Sequence, residues 1–310
     1  MERLERMPIP LIPTMVGALT LSNVYGGMGY TWVRHITMLA ATIILLLYLV
    51  KIIRFPGTCL KEYQQVVPRS LYAGITMAAM ILGSYYYDFN PTFGLILWGG
   101  ATILHAIHLV LFFYANVFVK RDWNTFVPSW FVTANGIMVS CVVGSGYGYN
   151  HLLKIIVYYG IAIYLILIPV MIWRLLNIEI KDAVYHTQPI MLAPCSLCVV
   201  SYLNVIENPI PALVYFLYAC VLATLVFIIV KLPKFFRYSF APGFAGLTFP
   251  MAIGIVATNK MAAYLTNVAG NEALGNMCKQ LSGIQIYLTS MLVGYVLVNF
   301  IIMALKLERK

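Results

Sequence analysis

Apolar runs of roughly 20 residues, long enough to cross a hydrocarbon core about 30 Å thick, alternate along the whole chain with short polar and basic links. They predict helices near Ile9 to Tyr25, His35 to Ile53, Ser70 to Tyr87, Phe93 to Val119 and Val127 to Tyr147. Five more follow near Leu152 to Trp173, Pro189 to Asn204, Ile210 to Val230, Gly243 to Thr258 and Ile284 to Leu305. The runs are of two kinds. Odd-numbered spans carry small and polar residues such as Gly17, Gly74, Thr133, Asn135 and Ser196, whereas even-numbered spans are stretches such as ILLLYLV, LVLFFYANVF and YLILIPVMIW. Small residues let helices approach closely or line a hole, so the odd spans are expected inside and the even spans against lipid.

A repeat underlies the alternation. Each odd span opens near a proline, at Pro8, Pro68, Pro128, Pro189 and Pro242, in steps of 60, 60, 61 and 53 residues. Proline suits the first turn of any helix, because the amide it lacks has no partner there. Five at near-constant spacing predict five equivalent hairpins. The expected fold is all-α and integral to the membrane, with ten transmembrane helices as five helical hairpins in a quasi-fivefold arrangement around a central pore, in a single domain over residues 1–310.

Composition agrees with a membrane solvent. Hydrophobic residues make up 62% and charged residues 10% of the 310, and mean hydropathy is +0.86, whereas soluble domains carry about 25% charge. The net charge of +10 does not point to nucleic acid, because the basic residues are spread over short links. Of the 20, 16 fall on the links of the terminal side, leaving Arg34, Lys154, Lys260 and Lys279 opposite. Basic links stay in the cytoplasm, so both termini are expected there, in a bacterial inner or plasma membrane. The run from Ile9 lacks a basic segment free of acids and a small-residue cleavage site, and reads as a retained helix. Cys195 and Cys198 have metal or redox spacing but sit in an apolar run without a second ligand pair, so no metal or cofactor is expected.

The stretch Phe240 to Thr258 contains no charged side chain and places Phe249 directly before Pro250. A large aromatic ring on a helix otherwise walled by small residues is a candidate plug, since apolar constrictions close pores by excluding water; the other reading is packing between helices. His105 and His108, three apart on the fourth span, suit either a proton relay or hydrogen bonds between helices. Gly146-Tyr147-Gly148 matches part of a potassium-channel filter but lacks the re-entrant helix and flanking Thr-Val that a filter needs. No nucleophile with a base and no phosphate loop stands out, so an enzyme is not expected.

Three stretches carry a family resemblance: FAPGFAGLTFPM at Phe240 to Met251, LAPCSL in the seventh span, and VPSWFV at Val127 to Val132. In these the chain resembles the tellurite-resistance and dicarboxylate transporters, a family that includes bacterial TehA and the slow anion channel of plant guard cells. The resemblance implies ten helices with the odd ones lining a pore, a homotrimer with one pore per subunit, and a gating phenylalanine that falls on Phe249. It implies small anions as the permeant species, from halide and nitrate to sulfite, tellurite-type oxyanions or dicarboxylates. Two functions follow as expectations: an anion channel or uniporter with an uncharged pore, or a proton-coupled transporter or exporter of such oxyanions.

Seven residues past each repeat proline lie Met15, Ile75, Asn135, Ser196 and Phe249, at equal depth if the hairpins are related by rotation. These, with Gly17, Gly136, Pro194, Thr248 and Pro250, are the expected pore lining. Membrane lipid and small anions are the expected partners. Helix N-termini, freed backbone groups and the basic cytoplasmic mouth would attract anions without a fixed charge in the span.

Overall fold

A computed structural model describes residues 2–180 and 182–306; Lys181, Arg309 and Lys310, which enter the charge bias, lie outside them. The helices of the first two apolar pairs are α1 (Leu11–Gly27), α2 (Thr31–Arg54), α3 (Val66–Tyr87) and α4 (Pro91–Phe113). A surface helix, Pro56–Tyr63, joins α2 to α3, and α4 runs on as a π-helix over Tyr114–Lys120. The next inner segment is broken into α5a (Trp130–Ala134) and α5b (Val139–Gly144), joined by the 3-10 turn Gly136–Met138. After it come α6 (Asn150–Asn177), α7 (Leu192–Val205), α8 (Pro211–Phe235), α9 (Thr248–Asn267) and α10 (Glu272–Lys306). Both α7 and α9 are entered through 3-10 segments, Asp182–Met191 and Pro242–Leu247.

Seven of these segments are long and apolar enough to cross a membrane: α2, α3, α4 with its π extension, α6, Val184–Val205, α8 and α10. The protein is an integral membrane protein built of helices. The segments α1, α5 and α9 fall outside the seven, because small and polar residues dilute their hydropathy or a break shortens them. Burial separates two classes: over an 18-residue apolar stretch of each, 78% is buried in α3 and 89% in Val184–Val205, against 22% to 39% in α2, α4, α6, α8 and α10. The helices with the purest apolar sequences are thus those that turn most side chains outward, as they must when the solvent is hydrocarbon.

Proline sets where the inner helices start. Pro13, Pro68, Pro194 and Pro250 are each the third residue of their α-helix, where the missing N–H has no carbonyl within the helix to bond. Pro250 therefore sits in a first turn and costs no hydrogen bond, unlike the interior Pro169 of α6. Of the repeat prolines read from spacing, Pro68 alone lies within its α-helix; Pro8 precedes α1, Pro128 precedes α5a, and Pro189 and Pro242 lie in 3-10 lead-ins.

Each inner segment packs on the outer helix that follows it, α1 on α2, α3 on α4, α5 on α6, α7 on α8 and α9 on α10. The inner segments also touch in a closed cycle, α1 to α3 to α5 to α7 to α9 and back to α1. At one end, the buried Lys51 Nζ donates to Met7 O and Glu62 Oε1, both at 2.9 Å, and the Tyr72 hydroxyl donates to Glu62 Oε2 at 2.6 Å. This satisfied charge pair fastens the chain before α1 to α2 and the surface helix.

Candidate permeation pathway

Two cavities lie within the cycle of inner segments, and Phe249 is the one residue that lines both. The larger, about 500 Å³, is apolar beside Phe249, where Ile81, Val139 and Ile253 face it, and polar further along at Thr20, Asn23, Asn259 and Lys260. The smaller, about 30 Å³, receives residues from all five inner segments, among them Val16, Met77, Gly136, Leu197 and Pro250. Its volume is about one water's share of the liquid, against about 500 Å³ on the other side of Phe249. Phe249 itself is 6% exposed.

The backbone that carries Phe249 is held by close approach. A Cβ on Gly17 of α1 would lie 2.6 Å from Phe249 N and 2.7 Å from Thr248 C, and one on Gly246 would lie 2.2 Å from His186 O. Only glycine admits these contacts. Thr248 Oγ1 donates to Ala245 O at 2.7 Å and reaches Pro13 O at 3.4 Å, tying the lead-in of α9 to the first turn of α1. Beside the larger cavity lies another of about 400 Å³, bordered by Arg34. That guanidinium is already engaged by Asp88 Oδ2 at 2.9 Å and Asn23 Oδ1 at 3.0 Å.

A family model described as SLAC1, voltage-dependent anion channel, matches residues 14–305. The chain belongs to the SLAC1 family. That family unites slow anion channels with the tellurite-resistance and dicarboxylate transporters, and an anion channel or transporter is the function it supports. A comparison with individually curated proteins gave no match.

In this SLAC1-family protein the residues expected to line a pore are distributed unevenly. Phe249, Gly136 and Pro250 border the small cavity. Gly17 and Thr248 form the contact between α1 and α9. Met15 and Pro194 are buried in the packing between helices. Ile75 packs on a side cluster with Ile9 and Tyr48. Asn135 turns toward α6, donating from Nδ2 to Gly160 O at 2.9 Å, and Ser196 is buried with no partner for Oγ. The register explains this. One turn past the third-position prolines lie Val16, Leu71, Leu197 and Ile253, and all four face a cavity. Met15 and Ser196 are one residue short of that position, about 100° around the helix.

The break in α5 is satisfied from outside the ring. The carbonyl of Thr133, freed where α5a ends, accepts from His105 Nε2 at 3.0 Å, and that of Ala134 accepts from the Tyr159 hydroxyl at 3.2 Å. Because a carbonyl only accepts, His105 carries its proton on Nε2, and its Nδ1 meets Thr76 Oγ1 at 2.7 Å. His108 bonds the Tyr63 hydroxyl at 2.8 Å and Thr133 Oγ1 at 3.3 Å. Neither histidine borders the two cavities that meet at Phe249. The cysteines of the CxxC are buried free thiols, and Cys195 bonds the Leu192 carbonyl one turn back.

Sequence reasoning missed two things. The apolar residues Val16, Leu71, Leu197 and Ile253 look like any core residue in a membrane helix, and the third-position prolines are the signal that finds them. Lys260 reads from the sequence as part of a link on the side opposite the termini, whereas α9 continues seven residues beyond it to Asn267. It puts one cation on the wall of the larger cavity.

Proposed function

We propose that this protein is a channel or uniporter for small anions such as halide or nitrate. Ten membrane-crossing segments form five hairpins in a quasi-fivefold ring, and Phe249 closes the path between the two cavities. The single observation that carries the proposal is that the Phe249 ring separates a wide polar-mouthed cavity from a space of about 30 Å³ fed by all five inner segments. Membership of an anion-channel family supports the ionic class. Apolar walls on either side of Phe249 bind an anion weakly, which suits permeation, while Lys260 concentrates anions at the mouth.

Proton coupling has less support, because both histidines are engaged in holding α5 and stand away from the cavities. The bias of basic residues favours cytoplasmic termini, and the resemblance to TehA favours a homotrimer with one pore per subunit. Reversal potentials of purified protein in planar bilayers test the reading. A channel follows the anion gradient alone and is indifferent to a pH gradient; a shift with pH assigns the protein to the coupled class.

A further inference from the structure

A separate cavity of about 400 Å³ lies away from the ring, between the end of α4 and α6. Its apolar wall is Phe113, Val117, Ile166 and Val170; Trp123, Arg121 and Asp122 border it at the surface. Three irregularities coincide there. Helix α4 widens into the seven-residue π-helix Tyr114–Lys120, a form that recurs where a helix is shaped for function. The π-helix ends on Arg121 at φ 47°, the one non-glycine positive φ among the described residues, and such backbone persists where its surroundings over-determine it. Asn116, inside the π-helix and 3% exposed, donates from Nδ2 to Phe112 O at 2.8 Å while Oδ1 has no hydrogen-bond partner. A buried acceptor left unpaired calls for a donor that the chain does not supply.

The position and the charges say what brings that donor. Val117 and Ile166 are 42% and 63% exposed on helices that face lipid, and Trp123 beside them marks the membrane interface. Lipid therefore has direct access. The border carries one cation and one anion in adjacent residues. Arg121 spends Nε on Phe118 O at 3.2 Å, which leaves its terminal nitrogens for a phosphate. Asp122 Oδ1 holds the Asn124 N–H at 3.0 Å, which leaves its second oxygen for a cation. We infer that this cavity binds a phospholipid with a primary-ammonium headgroup, phosphatidylethanolamine, with its phosphate at Arg121, its ammonium shared by Asp122 and Asn116 Oδ1, and an acyl chain along α6. A choline headgroup has the same charges but no N–H to give Asn116.

The test uses full-length protein purified in mild detergent and incubated with equimolar dioleoyl phosphatidylethanolamine and dioleoyl phosphatidylcholine, with retained lipid read by native mass spectrometry. Wild type is expected to retain the ethanolamine lipid about tenfold over the choline lipid, the gain of one charge-assisted hydrogen-bonded group. Asn116→Leu and Asp122→Asn should each bring the ratio near unity, and Arg121→Gln should lower retention of both lipids. Asp122 is exposed, so Asp122→Asn gives a result even if Asn116→Leu fails to fold. Equal retention by wild type, retention of phosphatidylglycerol above phosphatidylethanolamine, or a ratio unchanged in Asp122→Asn would each overturn the assignment.

Discussion

Gly17→Ala tests whether the Phe249 backbone is held by close approach of α1. The new methyl group would meet Phe249 N at 2.6 Å and both Thr248 C and Thr248 Cβ at 2.7 Å. Relieving the first contact to 3.4 Å, where ordinary van der Waals contact begins, moves α1 and α9 apart by about 0.8 Å. The atoms in the way are chiefly backbone and cannot rotate aside, so overpacking costs toward the upper end of about 1–3 kcal/mol. Helix propensity returns about 0.5–1 kcal/mol on replacing glycine by alanine, which leaves a net loss of about 2 kcal/mol. The Thr248 Oγ1 bond to Pro13 O, already 3.4 Å, is lost in the same movement. Thermal unfolding of purified protein in one detergent reads the loss as a fall of about 4–8 °C, at about 2–4 °C per kcal/mol. Gly99→Ala in α4 is the control, because a Cβ there meets nothing within 4 Å, and it should melt at or above wild type. Because the movement displaces the segment bearing Phe249, basal anion conductance should rise in Gly17→Ala and not in Gly99→Ala. A Gly17→Ala protein as stable as Gly99→Ala, with wild-type conductance, would refute the idea that this contact positions the ring.

Three other outcomes are expected. His105→Phe leaves the Thr133 carbonyl unpaired in the α5 break and should cost about 1–3 kcal/mol, while pH still leaves the reversal potential unmoved; a pH-dependent reversal potential in wild type that this variant abolishes would instead make His105 a coupling group. Lys260→Gln should lower anion conductance severalfold at low salt in a Phe249→Ala background and much less at 1 M, where the Debye length is about 3 Å; a salt-independent effect, or none, removes Lys260 from anion recruitment. A tag on either terminus should be reached by reagents from the cytoplasmic side alone, and labelling of one terminus from outside would break the proposed even number of crossings.

The apolar runs and their two compositions made the helical character and the division into inner and outer helices legible, because hydrocarbon demands apolar side chains wherever a helix meets it. Phe249 was legible for a related reason: a large ring beside a proline in a small-residue segment stands out against its neighbours. The register of the other inner helices was not. Pro8 stands before α1, and Pro189 lies near the end of a 3-10 lead-in whose turns take about 3.0 residues, so counting from them as though they opened α-helices misplaced Met15 and Ser196 around their axes. Asn135-Gly136 is a turn-prone pair, but its neighbours do not show that a break can be held inside a membrane span; it is held because His105 and Tyr159, distant in sequence, satisfy the carbonyls it frees. Lys260 was hidden because Asn259, Lys260 and Asn267 read as a link, while packing on α10 keeps the segment helical.

Single-channel recording of Phe249→Ala in planar bilayers, beside its melting temperature, tests the gate most directly. Phe249 is the residue that lines both the 500 Å³ cavity and the small space behind it, so on the proposed reading its removal would join them. Anion conductance should rise at least about tenfold, equivalent to about 1.4 kcal/mol off the barrier, and stability should fall by less than the roughly 3–5 kcal/mol of a core phenylalanine. Wild-type conductance together with a full core-sized loss of stability would show that Phe249 packs helices and does not close the path.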